Sequence, residues 1–331
     1  MDTLGPVDIV YLWVDGSDLA WRRKREAARQ RLSPQQRLAV SVYGDVEGRF
    51  RDNEELRYSL RALERFFPQH GTVYIVTDGQ TPAWLQDHAQ LRIIDHRELI
   101  PQALLPTFDS CNIESYIHRI PGLSECYFYF NDDVFFGAPV RLGDWFWEGG
   151  VYAGWSDESA VSPGPLRNAA NALDNACRLS IAWLDAHPDA GVVAGYQHTY
   201  RTFSHSPRAM RKSLVCALEH IAPDLFARVR ATVFRAWDRP TIVSDFVMRW
   251  ALAHGQARMR SYAHAYVGSG EAGSAAQLQR VERELGALHF FCINDTLDNT
   301  GADDPRLLQL RDSLQVLFGQ ASRYERLAQL A

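Results

Sequence analysis

The chain has 331 residues, of which 46% are hydrophobic and 11% aromatic, so it can bury a large core as one elaborated domain or two ordinary ones. Its net charge of −5 argues against a nucleic-acid binder, because such proteins are normally basic. The cysteines lack zinc-type spacing and predict small buried side chains in a reducing compartment: Cys111, Cys126, Cys177, Cys216 and Cys292.

The first 140 residues alternate strand and helix. The predicted elements are, in order, strand 8–14, helix 17–31, helix 54–67, strand 73–77, a short helix near 82–88 and strand 92–94. We expect Ser17 or Asp18 to cap the first helix, and Asp52 or Asn53 to cap the second. This rhythm predicts a mostly parallel sheet with right-handed crossovers.

The remainder is more helical. After a helix at 112–119 and an apolar strand ending near residue 131, the pattern predicts helices at 166–187, 207–221, 223–232 and 241–254. Glycine, serine and alanine at 268–276 indicate a mobile loop. The last helix is expected to have Asp304 as its N-cap, Pro305 at its first position and Gly319 as its stop.

The strongest local signal is that several apolar runs stop on acidic or amide side chains. These ends are Asp15-Gly16, Asp78-Gly79, Asn131-Asp132-Asp133 and Asn294-Asp295. Carboxyl ends of neighbouring parallel strands meet at one edge of a sheet, where ligands bind. Carboxylates there are costly to bury unless they meet a cation or a strong hydrogen-bond donor, and their oxygens suit Mg²⁺, Mn²⁺ or Ca²⁺. The alternative is that they are helix caps or acidic turns.

Arginines and histidines form further candidate groups. Arg57 and Arg61 lie one turn apart on the predicted helix 54–67 and suit a diphosphate, although Glu–Arg pairing on a solvated face is the alternative. His118 and His205 are candidates for proton transfer near neutral pH, or for turn and cap positions.

Other classes of enzyme are less well supported by the sequence. The chain has no Walker A, G-x-G-x-x-G, G-x-S-x-G or H-E-x-x-H motif, which disfavours simple kinases, dehydrogenases, hydrolases and zinc proteases. No secretory signal opens the sequence, and no apolar run approaches the roughly 20 residues of a membrane span. We expect a cytoplasmic protein that is able to dock peripherally at the inner membrane.

The residues in four ordered blocks resemble the Stealth family. The blocks are 8–18, 49–80, 106–133 and 291–295, with His205-x-Pro207 and the Arg235 segment between the last two. That family contains bacterial capsule and exopolysaccharide phosphotransferases and the catalytic subunit of animal lysosomal-enzyme N-acetylglucosamine-1-phosphotransferase. The blocks span nearly the whole chain, so the resemblance is more specific than a short motif.

The resemblance implies an α/β fold, similar to glycosyltransferase A, with a mostly parallel sheet flanked by helices and a helical insertion. We expect one continuous catalytic domain. Its parts would be a nucleotide-sugar-binding α/β part at 1–149, a helical insertion with acceptor-side and catalytic residues at 150–270, and a final strand and helix at 271–331.

The implied reaction transfers a sugar-1-phosphate from a nucleotide-diphosphate sugar, such as a UDP-hexose or UDP-N-acetylhexosamine, to a sugar hydroxyl. It forms a phosphodiester and releases UMP in capsular or exopolysaccharide synthesis. The expected partners are a nucleotide-sugar donor and a saccharide acceptor, without nucleic acid. The alternatives are a metal-dependent glycosyltransferase that releases UDP, and a catalytically silent nucleotide-sugar sensor or scaffold.

The resemblance also implies residue roles. His205 would be the general base, Arg235 would stabilise phosphate charge, and Asp133 would be catalytic. Asp132, Asp133 and Asp295 would hold Mg²⁺ or Mn²⁺, with Ca²⁺ as a further candidate. The expected substrate-binding residues are Trp13, Asp15, Gly16, Arg57, Arg61, Asp78, Gln80, His118, Arg119, Asn131 and Asn294.

Overall fold

A computed structural model describes residues 4–189 and 191–326 of the chain. Its strands are β1 (Asp8–Leu12), β2 (Val73–Thr77), β3 (Leu91–Asp95), β4 (Cys126–Asn131), β5 (Val134–Phe136), β6 (Phe146–Trp147), β7 (Gly150–Ala153), β8 (Arg208–Arg211), β9 (Ala257–Met259), β10 (His264–Gly268) and β11 (Phe290–Asn294).

The helices lie between and after these strands. They are α1 (Leu19–Arg31), α2 (Pro34–Ala39), α3 (Glu55–Phe66), α4 (His96–Leu99), α5 (Ser110–Glu114), α6 (Ala172–Ala186), α7 (Lys212–Ile221), α8 (Pro223–Arg230), α9 (Val247–Ala253), α10 (Ser274–Glu284) and α11 (Pro305–Leu317). A π-helical turn at Ile242–Phe246 leads into α9. No helix in the described ranges is long and apolar enough to cross a bilayer.

The central sheet has the order β3-β2-β1-β4-β8. Its first four strands are parallel, and β8 joins the edge antiparallel to β4. Every residue of β1 and β2 is buried, as expected for strands that are covered on both faces. The predicted α/β class with a mostly parallel sheet flanked by helices is therefore confirmed.

A second sheet meets the first where β4 ends. It has the order β10-β11-β5, with β11 parallel to β10 and antiparallel to β5. Only Asp132 and Asp133 separate β4 from β5, so these residues lie at the junction of the two sheets. The smaller third sheet has the order β6-β7-β9.

One predicted helix begins later than expected and another is not formed, because tertiary contacts prevail over local pattern. The segment 207–221 begins with strand β8, where Ala209 and Met210 are buried against β4, and only then continues as α7. Residues 82–88 contain a turn at 83–84 and a β-bridge from Leu85 to Glu325, and the Gln86 N–H donates to the carbonyl of Tyr324 rather than to a helical neighbour.

Most of the predicted ends were close to those observed. Asp18 caps α1, and Asp304 caps α11 with Pro305 at its first position. The start of α3 is different: Glu54 precedes it with φ = 67°, because the Asp52 carboxylate accepts the Glu54 N–H at 2.8 Å. The helices of the 150–270 stretch are interspersed with strands β7 to β10, so that stretch is less helical than expected.

The other predicted helices differ mainly in their bounds. The helix expected at 112–119 is split into α5 and a 3₁₀ turn at Ile117–Arg119, and α6 starts six residues later than expected, at 172 instead of 166. Residues 269–273 connect β10 directly to α10, so the loop expected at 268–276 is short. The division of the chain into three functional parts remains a prediction.

Candidate active site

The site is built on the junction between β4 and β5. Strand β11 lies beside β5, and the Ile293 N–H donates to the carbonyl of Asp133 at 2.9 Å. This pairing brings the buried side chain of Cys292 next to Asp133, with 3.4 Å between Cys292 Sγ and Asp133 Oδ2. The two sheets therefore contribute one group of side chains.

His205 joins this group through strand β8, which was not predicted. Arg208 pairs with Tyr129 of β4, so the loop before β8 ends at the same junction. The Nε2 atom of His205 lies 2.8 Å from Asn131 Nδ2 and 3.9 Å from Asp133 Oδ1. Its Nδ1 atom lies 3.4 Å from Cys292 Sγ.

The neighbours of His205 determine which nitrogen can take a proton. The Tyr129 hydroxyl donates to Asn131 Oδ1 at 2.8 Å, which leaves the amide Nδ2 to donate to His205 Nε2. Burial lowers the pKa of His205, Asp133 opposes this shift, and nearby arginines add to it. These hydrogen bonds leave Nε2 of the neutral imidazole as the proton acceptor.

Two arginines meet on one hydroxyl beside this histidine. Arg235 Nη2 donates to Ser110 Oγ at 2.6 Å, and Arg49 Nη2 lies 3.4 Å from the same oxygen. Within the described ranges, the Nε atoms of both arginines lack a hydrogen-bond partner. Burial and the charge of Arg235 lower the pKa of Arg49 to about 10. Asp109 Oδ1 lies 3.8 Å from Arg235 Nε and is the nearest carboxylate. Two guanidinium groups that share one hydroxyl form a positive site that favours an anion such as phosphate.

Arg49 and Arg208 were missed by sequence reasoning. Arg208 is buried and donates to the carbonyl of Ser204 at 3.1 Å, and its charge also acts on His205. Arg49 opens the second block that resembles the Stealth family, which was the only available signal. No sequence signal pointed to Arg208, because its segment was predicted to be part of a helix.

Several carboxylates converge on the same junction. Burial raises the pKa of Asp132 well above its ordinary value, and the nearby charges of Glu55, Asp133 and Asp52 raise it further. Burial also raises the pKa of Glu55 to about 8 and that of Asp52 to about 6. Asp133 Oδ1 is buried and has no hydrogen-bond partner among the described residues. Buried carboxylates in this state fit a divalent cation with a preference for oxygen ligands.

Asp295 lies nearby, but an arginine already neutralises its carboxylate. Arg51 forms an ion pair with its carboxylate, and Asn53 Nδ2 donates to it at 3.3 Å. Its other oxygen accepts the Leu297 N–H at 2.9 Å and the Ser269 hydroxyl at 3.2 Å. Asp295 follows β11 in the second sheet, so the expected alignment of four strand ends on one sheet edge does not occur.

The ends of β1 and β2 are held together by Gln80. Its side-chain amide accepts the Asp15 N–H at 3.0 Å and donates to the Asp15 carbonyl at 2.9 Å. A Cβ atom on Gly16 would lie 2.2 Å from the carbonyl oxygen of Phe50, so only glycine fits there. Trp13 is buried at the end of β1, and Asp78 forms an ion pair with Lys24 at 2.7 Å.

Asn294 is linked to His205 through an aromatic ring. Its Nδ2 atom donates to the hydroxyl of Tyr266 at 2.9 Å. The Tyr266 ring stacks on His205, with 6.5 Å between ring centroids. Asn294, which ends β11, thus helps to support the face of the candidate base.

Four predicted substrate-binding residues have carboxylate partners elsewhere. Arg57 Nε and Arg61 Nε lie 2.6 and 2.7 Å from the carboxylate of Glu325. His118 Nε2 lies 2.7 Å from Glu219, which also pairs with Arg119. Burial lowers the pKa of His118 to about 4, so its imidazole is neutral and donates to Glu219. None of these partners belongs to the group around His205.

Comparison with known proteins adds independent information. The family model for Stealth protein conserved region 1 matches residues 5–33, and that for conserved region 2 matches residues 49–153. These ranges contain the strand ends of β1, β2 and β4 together with Arg49 and Ser110.

Curated relatives cover nearly the whole chain. Two exopolysaccharide phosphotransferases of Streptomyces coelicolor are each 33% identical over 98% of this chain, which spans 33% and 58% of their lengths. The exopolysaccharide phosphotransferase CpsY of Mycobacterium tuberculosis is 31% identical over 89% of this chain and 53% of its own length.

Solved structures give a more distant likeness. The galactosyltransferase LgtC, crystallised with donor and acceptor sugar analogues, is 10% identical. It has a TM-score of 0.44 and covers 95% of this chain and 96% of its own.

Proposed function

Because the chain belongs to the Stealth protein family, we propose that it is an enzyme that transfers a sugar-1-phosphate to an acceptor hydroxyl. The donor is a nucleotide-diphosphate sugar, such as a UDP-hexose or UDP-N-acetylhexosamine, and the acceptor is a saccharide. The products are a phosphodiester and UMP. The names of the curated relatives favour a role in exopolysaccharide or capsule synthesis.

One observation carries this proposal. A histidine whose Nε2 accepts a hydrogen bond, an acidic strand junction and two arginines come from distant parts of the chain and lie together. His205 Nε2 is 3.9 Å from Asp133 Oδ1, and the charges of Arg49 and Arg235 act on His205. A base beside an anion site is what transfer of a phosphate-bearing group needs.

The chemical step follows from these positions. The acceptor hydroxyl approaches His205 Nε2 in place of the Asn131 amide, and its oxygen attacks the sugar-bearing phosphorus in line. A new phosphorus–oxygen bond forms as the bond to the nucleotide phosphate breaks, and UMP leaves with the electron pair. His205 Nε2 takes the hydroxyl proton, and Asp133 stabilises the resulting imidazolium.

The arginines act on the charge of the transferred group. Arg49 and Arg235 converge on Ser110 Oγ, so their two guanidinium charges can act together on the phosphoryl oxygens. Arg208 contributes positive potential from within the fold. Fixed donors aimed at developing charge account for much of the rate enhancement in phosphoryl transfer.

A divalent ion fits the carboxylates at the sheet junction. Asp132 and Asp133 would hold Mg²⁺ or Mn²⁺, because both are only partly exposed and the Oδ1 atom of Asp133 lacks a partner among the described residues. When bound, such an ion neutralises diphosphate charge. Asp295 remains a third candidate ligand, although its ion pair with Arg51 must then open or be shared.

The test is a panel of UDP-, GDP- and CDP-sugars with saccharide acceptors and Mg²⁺ or Mn²⁺. We expect UMP as the nucleotide product and a phosphodiester signal by ³¹P NMR. Release of UDP with a glycoside product would instead identify a glycosyltransferase. Donor binding without turnover of any donor would identify a sensor or scaffold.

A further inference from the structure

The thiol of Cys292 has no part in the proposed reaction, yet it lies between the base and the acidic junction. Its Sγ atom is 3.4 Å from His205 Nδ1 and 3.4 Å from Asp133 Oδ2. All three residues offer a ligand atom within 4.8 Å of the others. Sulfur, imidazole nitrogen and carboxylate oxygen together form a set of donors that suits zinc and similar ions.

The spacing agrees with tetrahedral coordination. Zinc binds sulfur at about 2.3 Å and histidine nitrogen at about 2.0–2.1 Å, so their separation at a tetrahedral angle is about 3.5 Å. The Cys292–His205 and Cys292–Asp133 separations of 3.4 Å are close to this value. Three protein ligands leave a fourth position for water.

The site has a route for entry. Cys292 is fully buried, but the His205 side chain is 34% exposed and the Asp133 side chain 15%. An ion can therefore approach from the side on which the acceptor hydroxyl is proposed to bind. The neighbouring oxygen-rich position at Asp132 and Asp133 differs in chemistry, because Mg²⁺ does not favour thiolate ligands.

We propose that Cys292, His205 and Asp133 form an inhibitory site for a thiophilic divalent ion of the Zn²⁺ class. The ion replaces the thiol proton of Cys292, which leaves to solvent, and bonds to His205 Nδ1. A neutral imidazole bound through Nδ1 carries its proton on Nε2, so that atom can no longer accept the proton of the hydroxyl.

The surroundings can accommodate this change of tautomer. If the Asn131 amide turns over, its Oδ1 accepts the new proton on His205 Nε2 and its Nδ2 donates to the Tyr129 hydroxyl. That hydroxyl already lies 3.0 Å from Glu114 Oε1, to which it can donate. Each of these three groups keeps a hydrogen-bond partner after the change of tautomer.

Cobalt(II) is a suitable probe because bound thiolate gives it a near-ultraviolet charge-transfer band. We expect the EDTA-treated protein to develop this band with one Co²⁺ per chain, and Zn²⁺ to remove it. Cys292→Ser should abolish the band. It should also weaken Zn²⁺ binding, measured by calorimetry, by at least about tenfold. Loss of a residue that only supports a metal ligand already costs about that much affinity, so loss of a direct ligand should cost no less. Cys216→Ser, at an exposed cysteine of α7, is the matched control and should keep the band.

His205→Gln provides a second variant. The His205 side chain is more exposed than that of Cys292, so its replacement disturbs the core less, and circular dichroism can check the fold. This variant should keep the thiol but weaken Co²⁺ binding to a similar degree. A wild-type protein without the band, or a band that persists in Cys292→Ser, would overturn the site.

The inhibitory part rests on the proposed function, whereas the spectroscopic part does not. In the active enzyme, Zn²⁺ in the presence of excess Mg²⁺ should stop transfer, and a chelator selective for zinc should restore it. A cobalt band without zinc inhibition would overturn the inhibitory role and leave the site. If no donor is turned over, the band still decides the site, and only the proposed function fails.

Discussion

Two pairs of arginines in this protein differ in their partners. Arg57 and Arg61 of α3 both bind the carboxylate of Glu325. Arg49 and Arg235 instead share a single hydroxyl, and the nearest counter-charge to Arg235 is Asp109, 3.8 Å away. The second pair therefore retains unused donors and charge.

The difference separates two roles. Arg61 is buried and donates from Nε and Nη2 to Glu325 at 2.7 Å each, and from Nη1 to the carbonyl of Phe318 at 2.7 Å. Such a group ties the segment after α11 to α3. The partners that an arginine has in the fold, rather than its position in a motif, distinguish a structural cation from one that is available to phosphate.

The largest effect is expected at the acidic junction. Asp133→Asn should abolish turnover and leave the fold intact, because it removes the carboxylate that faces both His205 and the candidate metal position. EDTA should have the same effect, reversed by Mg²⁺ or Mn²⁺. Turnover that survives both treatments would show that the acidic strand ends are structural caps.

The next effect concerns the base. His205→Ala should lower the transfer rate by about 10²–10⁴-fold, the usual loss for a general base, with donor affinity nearly unchanged. Single-turnover rates and equilibrium donor binding separate the two quantities. An unchanged rate would remove His205 from the mechanism.

The arginine comparison itself is tested by substitution. Arg49→Ala and Arg235→Ala should each lower kcat/KM by at least about tenfold, on the scale of a charge-assisted phosphate contact. Arg97→Ala, which removes an exposed arginine paired with Asp95, is the control and should leave kcat/KM unchanged.

Arg61→Ala should act on stability instead. It leaves the buried Glu325 carboxylate without its main partner, a change that typically costs about 3–5 kcal/mol. Urea unfolding should show this loss, and kcat/KM of the folded enzyme should stay close to that of the wild type.

Arg57→Ala should destabilise less, because its side chain is 28% exposed. If Arg57 binds the donor, as the sequence predicts, Arg57→Ala removes a phosphate contact and should lower turnover by about tenfold or more. Such a loss in Arg57→Ala, with none in Arg49→Ala, would show that Arg57 binds phosphate and that Arg49 does not.

The smallest effect is the pH dependence of this ion-pair group. Burial opposes ionisation of Glu325, but the hydrogen bonds from Arg61, the Ser322 N–H and Arg57 prevail and lower its pKa to about 2. Because the pKa of Glu325 is lower in the folded state than in the unfolded state, its ionisation stabilises the fold at pH values above the unfolded pKa of about 4.3. This contribution is lost as the pH falls towards 2. The stability difference between the wild type and Arg61→Ala should therefore be smaller at pH 3 than at pH 7.

Local sequence was sufficient for much of the scaffold. The apolar runs that became β1, β2 and β4 were identified together with their acidic ends, and the caps at Asp18 and Asp304 followed from side-chain chemistry. These features depend on neighbours a few residues apart, so a single segment contains the necessary information. The resemblance of the four blocks supplied the family, which the conserved-region matches confirm.

Tertiary structure decided the long-range pairing of charges at the site and around α3. Arg61 and Glu325 are 264 positions apart, Arg51 and Asp295 are 244 apart, and His205 reaches Asp133 only because β8 adds to the edge of the central sheet. The free energy of a buried charge depends on the cation, anion or hydroxyl that the fold brings within a few ångströms. The sequence determined where charged side chains occur, and packing of the two sheets determined which of them remain free to bind a ligand.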